Sequence, residues 1–125
     1  MSVFITVKLQ VEGIHKWEGL SDILKNNPSH TLQAVNFLTN YHRHIFHITV
    51  VKQVSHSDRD IEIILFKQQI KDALTAKFYD KDYNCLNFTT MSCENIASHI
   101  LNFFQASVVT VLEDDENGAI VTDDN

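Results

Sequence analysis

The stretch Val3-Phe4-Ile5-Thr6-Val7-Lys8-Leu9-Gln10-Val11 alternates along its whole length. Val3, Ile5, Val7, Leu9 and Val11 fall on one side, and Phe4, Thr6, Lys8 and Gln10 on the other. A period of two is a β-strand with one face on a core. Such a strand constrains the rest of the chain, because it needs partners in a sheet and its apolar face needs a second layer. Residues 44–54 supply one partner: Ile45, Phe46, Ile48, Thr49, Val50, Val51 and Val54 are β-branched, aliphatic or aromatic. Gly13 permits a bend after the first strand, with His15 at its end. Residues 19–40 form a mixed insertion between the two strands. A short helix up to Lys25 and another around 30–39 are expected there, separated by Asn26-Asn27-Pro28.

Beyond the polar break Ser55–Asp60, the covering layer appears. Phe66, Ile70, Ala73, Leu74 and Phe78 recur at spacings of three and four, which predicts an amphipathic helix over 65–78. A loop over 80–90 precedes a second helix at 93–105, with Ile96, Ile100, Phe103 and Phe104 on one face. Ser92 is its expected N-cap, and Glu94 in the first turn suits the helix dipole. Residues 107–112 read as a strand. Asn117-Gly118 is the strongest hairpin-turn signal in the chain, with a return strand at 119–122. The expectation is a single α+β domain over 1–125: an antiparallel four-stranded sheet with two helices on one face, in the order β-β-α-α-β-β. At 125 residues and 44% hydrophobic content, the chain is long enough to bury its own core. The free edges of such a sheet point to assembly with further copies, edge to edge.

Charge narrows the partners. A net charge of −6 argues against nucleic acid and anionic membranes as broad partners. The acidic residues concentrate at Glu113–Glu116 and Asp123-Asp124, so 114–125 reads as a solvated acidic turn and tail. The N-terminus lacks the pattern of a signal peptide, and no apolar run reaches bilayer length. Cys85 and Cys93 have neither the spacing of a CxxC metal pair nor that of a disulfide framework. Two reduced, partly buried thiols in a cytoplasmic protein are expected.

Tyr41-His42-Arg43-His44-Ile45-Phe46-His47 carries three of the seven histidines. On a strand His42 and His44 face the same way and His47 the other. Two imidazoles one strand step apart can share an ion. If the first two strands pair, with 19–40 folded over as an excursion, His15 comes alongside them. Three neutral imidazoles would leave a zinc ion its full double positive charge, suited to polarising a hydroxyl or carbonyl oxygen. The spacing alone leaves open the ordinary alternative of histidines on a half-exposed strand. His30, His56 and His99 read as surface or helix residues.

The order of these motifs resembles the 6-pyruvoyltetrahydropterin synthase and 6-carboxytetrahydropterin synthase family. The family's HGH followed by an aromatic resembles His42-Arg43-His44 with Phe46. Its PTSEN-like helix start resembles Met91-Ser92-Cys93-Glu94-Asn95. Its V-x-E-T strand resembles Val111-Leu112-Glu113-Asp114, and its LDHxxLN loop resembles Asp82-Tyr83-Asn84-Cys85-Leu86-Asn87. The chain also looks like short synthase-like proteins of tailed bacteriophages. The resemblance implies the tunnelling fold (T-fold), with three subunits joined into a barrel and two rings stacked, hence a homotrimer or hexamer. It implies zinc on His15, His42 and His44, and a pterin or purine-like ring anchored by Glu113, with Glu94 as a further ligand-binding residue. It leaves Asp82 and Tyr83 as the catalytic pair.

Departures from the family pattern bear on activity. The family's cysteine precedes HGH, but Asn36–Tyr41 contains none, and the family's loop histidine aligns with Tyr83. A tyrosine with a pKa of about 10 is a poor base at neutral pH. Arg43 replaces the motif glycine and reads as a surface residue. Two functions follow from the resemblance. One is a zinc-dependent carbon–oxygen lyase acting on a dihydropterin triphosphate or relative. The other is an oligomeric protein that captures a pterin, base or nucleotide without turning it over.

Overall fold

The computed structural model describes residues 1–26 and 30–124. Strands β1 (Val3–His15) and β2 (His42–Val54) pair antiparallel along their whole length, from Val3 opposite Val54 to His15 opposite His42. The alternation read from 3–11 therefore continues through Gly13 without the expected bend. Gly13 serves close packing instead: a Cβ there would lie 2.8 Å from Phe88 Cε2 and 3.1 Å from the Phe46 ring. Between the two strands lie α1 (Leu20–Asn26), α2 (His30–Gln33) and a 3₁₀ turn, Asn36–Thr39. The predicted break at Asn27-Pro28 lies outside the described residues, as does the expected surface placement of the His30 side chain.

Helix α3 (Ile63–Phe78) is capped by Glu62, whose carboxylate accepts from the backbone N–H groups of Ile64 and Leu65. The expected loop at 80–90 carries two short strands, β3 (Tyr79–Asp80) and β4 (Cys85–Asn87). β4 runs parallel to the end of β1, with Gly13 opposite Leu86. Runs of two and three residues are too short to display a period, so only tertiary pairing reveals them. Helix α4 (Cys93–Phe104) starts where Ser92 predicted. Ser92 Oγ accepts from Asn95 N at 3.1 Å, and the Asn95 side chain accepts in return from Ser92 N.

β5 (Val108–Glu113) pairs with β2, and β6 (Asn117–Thr122) with β5, both antiparallel. The sheet thus has six strands in the order β3-β4-β1-β2-β5-β6, where four were expected. The hairpin turn is also displaced. It lies at Asp114–Glu116, with Asp114 and Asp115 both left-handed, at φ 55° and 60°. Asn117 and Gly118 belong to β6. Aspartate tolerates the left-handed region better than most residues, and side-chain contacts of Asp114 described below hold it there. Gly118 is required for space, since a Cβ would sit 1.8 Å from the Val111 carbonyl oxygen.

The core lies between one face of the sheet and the two long helices. Val7 and Leu9 of β1, Phe46, Ile48 and Val50 of β2, and Val109 and Val111 of β5 meet Phe66, Ile70 and Leu74 of α3 and Ile96, Ala97 and Ile100 of α4. The two sequence periods pick out Val7, Leu9, Phe66, Ile70, Leu74, Ile96 and Ile100 of this set, whereas Phe103, expected on the same face of α4, is 62% exposed. Each fully buried aliphatic or aromatic side chain contributes about 1.5–3 kcal/mol by leaving water. Among the described residues, no helix is long and apolar enough to cross a membrane.

Candidate metal centre and pocket

The antiparallel register brings His15 directly opposite His42, and directly opposite residues share a face. His44, two residues along β2, lies on that same face. His47 lies on the other, with Nδ1 3.9 Å from an Asp115 oxygen. The three imidazoles end the helix-covered side of the sheet, just beyond Phe46. Their ring centroids stand 4.5 Å (His15–His42), 5.0 Å (His42–His44) and 5.5 Å (His15–His44) apart. β5 adds a carboxylate, because Glu113 lies opposite Phe46 and diagonal to His44. One ligating atom from each of His15, His42, His44 and Glu113 falls within 4.8 Å of the others.

Each ring is held at Nδ1. His15 Nδ1 lies 2.8 Å from the Met91 carbonyl oxygen, His42 Nδ1 2.9 Å from that of Asn40, and His44 Nδ1 2.7 Å from Asp114 Oδ2. These partners can only accept, so each Nδ1 carries the proton and each Nε2 is left as a lone-pair donor. The Nε2 atoms of His15 and His44 are buried and lack hydrogen-bond partners. The Glu113 carboxylate is the group that faces them, with Oε2 2.7 Å from His44 Nε2 and Oε1 3.5 Å from His15 Nε2, contacts that pair with the rings only when Nε2 is protonated. Buried, orphaned imidazole nitrogens gathered beside a carboxylate fit a divalent transition metal, and the imidazole-rich set suits zinc.

Electrostatics follow the same grouping. Burial alone would lower the pKa of His15, but the Glu113 carboxylate and the Met91 carbonyl outweigh it, and the net shift is upward. Glu113 is held below the usual carboxylate range, chiefly by His15 and then by His44. His42 is lowered by burial, which its Asn40 contact only partly offsets. Cys93, the first residue of α4, points its Sγ at Glu113 Oε1 from 3.4 Å. Burial, then the Glu113 charge, pushes its thiol up to about 12.

A pocket of about 430 Å³ opens over this centre, lined by His15, His42 and Glu113, by Met91, Cys93 and Glu94 at the start of α4, by Trp17 just after β1, and by Leu38 from the insertion. Leu38 thus brings the 19–40 segment to the edge of the site. Glu94 is exposed at the rim. Asp82 and Tyr83 are not among the lining residues. They sit exposed on the turn between β3 and β4, where the Asp82 N–H donates to Asp80 and the Tyr83 ring lies 5.7 Å from Tyr41. Arg43, on the opposite face from His42 and His44, pairs with Glu12 and donates to the Tyr83 carbonyl. Sequence reading missed Met91, Asp114, Cys93 and Trp17 as parts of the site. The helix-start motif Met91–Asn95 and the strand motif Val111–Asp114 contain three of the four, but gave them no role there.

Fold and site together define a class. The six-stranded sheet backed by two helices, with its histidine triad at the β1–β2 end, is a tunnelling fold. The structure is similar to that of 6-pyruvoyl tetrahydropterin synthase from Caenorhabditis elegans, with a TM-score of 0.63 covering 98% of this chain and 96% of that one, at 12% sequence identity. At that identity the likeness establishes the fold. No protein-family model and no curated protein sequence matches the chain.

Proposed function

We propose that this chain is a zinc-binding protein of the tetrahydropterin-synthase type, acting on a dihydropterin triphosphate or a related purine-like ligand. The observation that carries the reading is the convergence of three imidazoles, each held at Nδ1, with the buried Nε2 atoms of His15 and His44 turned toward one another and the Glu113 carboxylate. His15, His42 and His44 would hold the metal. Zinc bound there supplies a Lewis acid that acidifies a hydroxyl or the carbon beside it. Glu113, which lines the pocket, would accept from the amide and amino edge of the ring. Trp17 and Leu38 offer apolar surface to the ring, and Glu94 a polar contact at the rim. The free sheet edges support assembly into a homotrimer or hexamer, and the cytoplasm of a bacterial or phage-infected cell is the proposed location.

Proton transfer is the weaker half of this site. The thiol that lines the pocket, Cys93, is pushed up to about 12, far too weakly acidic to serve as a thiolate base at neutral pH. Asp82 and Tyr83 stand outside the pocket of their own chain, so catalysis by them needs a site completed across a subunit boundary. This favours a second reading, in which the oligomer captures a pterin, base or nucleotide without converting it. One experiment separates the two. Zinc-loaded protein is incubated with dihydroneopterin triphosphate, the ultraviolet spectrum is followed, and the ligand is recovered. A changed spectrum and altered product support the synthase. Thermal stabilisation with ligand recovered intact supports capture. Neither effect would sink both.

A further inference from the structure

The segment that reads in sequence as a solvated acidic turn is folded back onto the histidine strand. Asp114 divides its carboxylate between two groups of β2. Oδ1 accepts from the Ile45 backbone N–H at 3.0 Å, and Oδ2 lies 2.7 Å from His44 Nδ1. The Asp114 N–H in turn donates to the Ile45 carbonyl at 2.8 Å. Three contacts therefore lock one residue of the turn to β2 beside His44. They also explain why Asp114 remains in the left-handed region at φ 55°. The other two ligand histidines lean on backbone carbonyls, whereas His44 alone leans on a charged carboxylate.

We infer that Asp114 is a positioning residue for metal binding: through Oδ2 it fixes the proton of His44 on Nδ1, orients the ring, and makes Nε2 a stronger donor to the metal. A carboxylate behind a ligating imidazole acts in this way, and its loss typically costs about 10–100-fold in metal affinity. Asp114 is not itself among the clustered ligating groups or the pocket-lining residues, so its carboxylate acts through His44. The inference rests on the proposed histidine metal site.

Asp114→Asn isolates the effect. Asparagine keeps an oxygen for the Ile45 N–H and tolerates the left-handed backbone, but it turns an NH₂ toward His44 Nδ1. Zinc affinity is measured by competition with a chromophoric chelator at fixed pH for the wild type, Asp114→Asn and Asp115→Asn. The last lies on the same turn and contacts no ligand histidine. The expected result is a loss of about 10–100-fold for Asp114→Asn and wild-type affinity for Asp115→Asn. A second measurement needs no variant. In zinc-loaded wild type, the His44 Nδ1–H resonance should be shifted downfield and slow to exchange with water. Equal affinity of Asp114→Asn and wild type, or a freely exchanging His44 proton, overturns the inference while leaving the metal site standing. Wild type that takes up no zinc overturns both.

Discussion

Gly13→Ala tests how the core supports the metal site. Gly13 sits opposite His44 in the β1–β2 register. An added methyl group would meet Phe88 Cε2 at 2.8 Å and two carbons of the Phe46 ring at 3.1 Å. Ordinary carbon contacts are about 3.5–4.0 Å, so the methyl intrudes by roughly 0.4–0.7 Å at the least. Neither ring can yield easily, because both are fully buried and pack against each other with centroids 5.1 Å apart. Overpacking of this kind costs about 1–3 kcal/mol. Alanine recovers roughly 0.4–1 kcal/mol by restricting the unfolded chain, leaving a net loss of about 1–2 kcal/mol. For a domain of this size that corresponds to a fall in Tm of roughly 3–10 °C. The loss should also reach the metal. Phe46 meets His15 and His44 edge-on, at centroid distances of 5.2 and 5.7 Å. A displaced Phe46 therefore displaces two ligand rings. Denaturant unfolding of metal-free protein measures the first effect, and a zinc titration the second. An alanine variant as stable as the wild type would refute the packing argument. One that is destabilised but binds zinc normally would refute the coupling from core to site.

Other outcomes are expected from the same geometry. Elemental analysis of protein purified without added metal should find close to one zinc per wild-type chain and little in His42→Ala; equal content would return the histidines to ordinary strand residues. Glu113→Gln should destabilise the metal-free protein in a defined pH window. His15 is raised from 6.5, so its contribution is full below that value and fades as pH rises through the folded value. Glu113 is lowered from 4.5, so its contribution is present above that value and fades as pH falls through the folded value. The variant's deficit should therefore be largest between about pH 4.5 and 6.5, on the order of 1–2 kcal/mol after burial offsets the attraction; a deficit that grows toward pH 9 would contradict the pairing. The same variant bears on the role of Glu113, since zinc affinity should drop far more if the carboxylate is itself a ligand than if it only lends charge nearby. Cys93, pushed up to about 12, should be alkylated at pH 8 far more slowly than an ordinary exposed thiol; rapid labelling in the folded protein would show that the thiol is not buried against Glu113.

What the sequence determined by itself is whatever repeats at short range. The alternation at 3–11 and the apolar run at 44–54 mark the two long strands, because side chains on a strand face a core every second residue. The spacings at Phe66–Phe78 and Ile96–Phe104 mark the covering helices, and Ser92 marks the start of the second through a bond to a neighbour three residues away. The same parity placed His42 and His44 on one face and His47 on the other. His15 joined them in sequence only on the condition that the two strands pair. Tertiary structure alone decided the rest. It set His15 opposite His42, added β3 and β4 to the edge, and moved the hairpin turn from Asn117-Gly118 to Asp114–Glu116. It also turned an acidic run that reads as solvent-facing into the partner of the histidine strand. The contacts that build the site span 76 residues between His15 and Met91, 70 between His44 and Asp114, and 20 between Cys93 and Glu113. Partners that far apart leave no local period or spacing in the chain. They meet only because the hydrophobic core holds β1, β2, β5 and the start of α4 in one register, and that register brings their ends together.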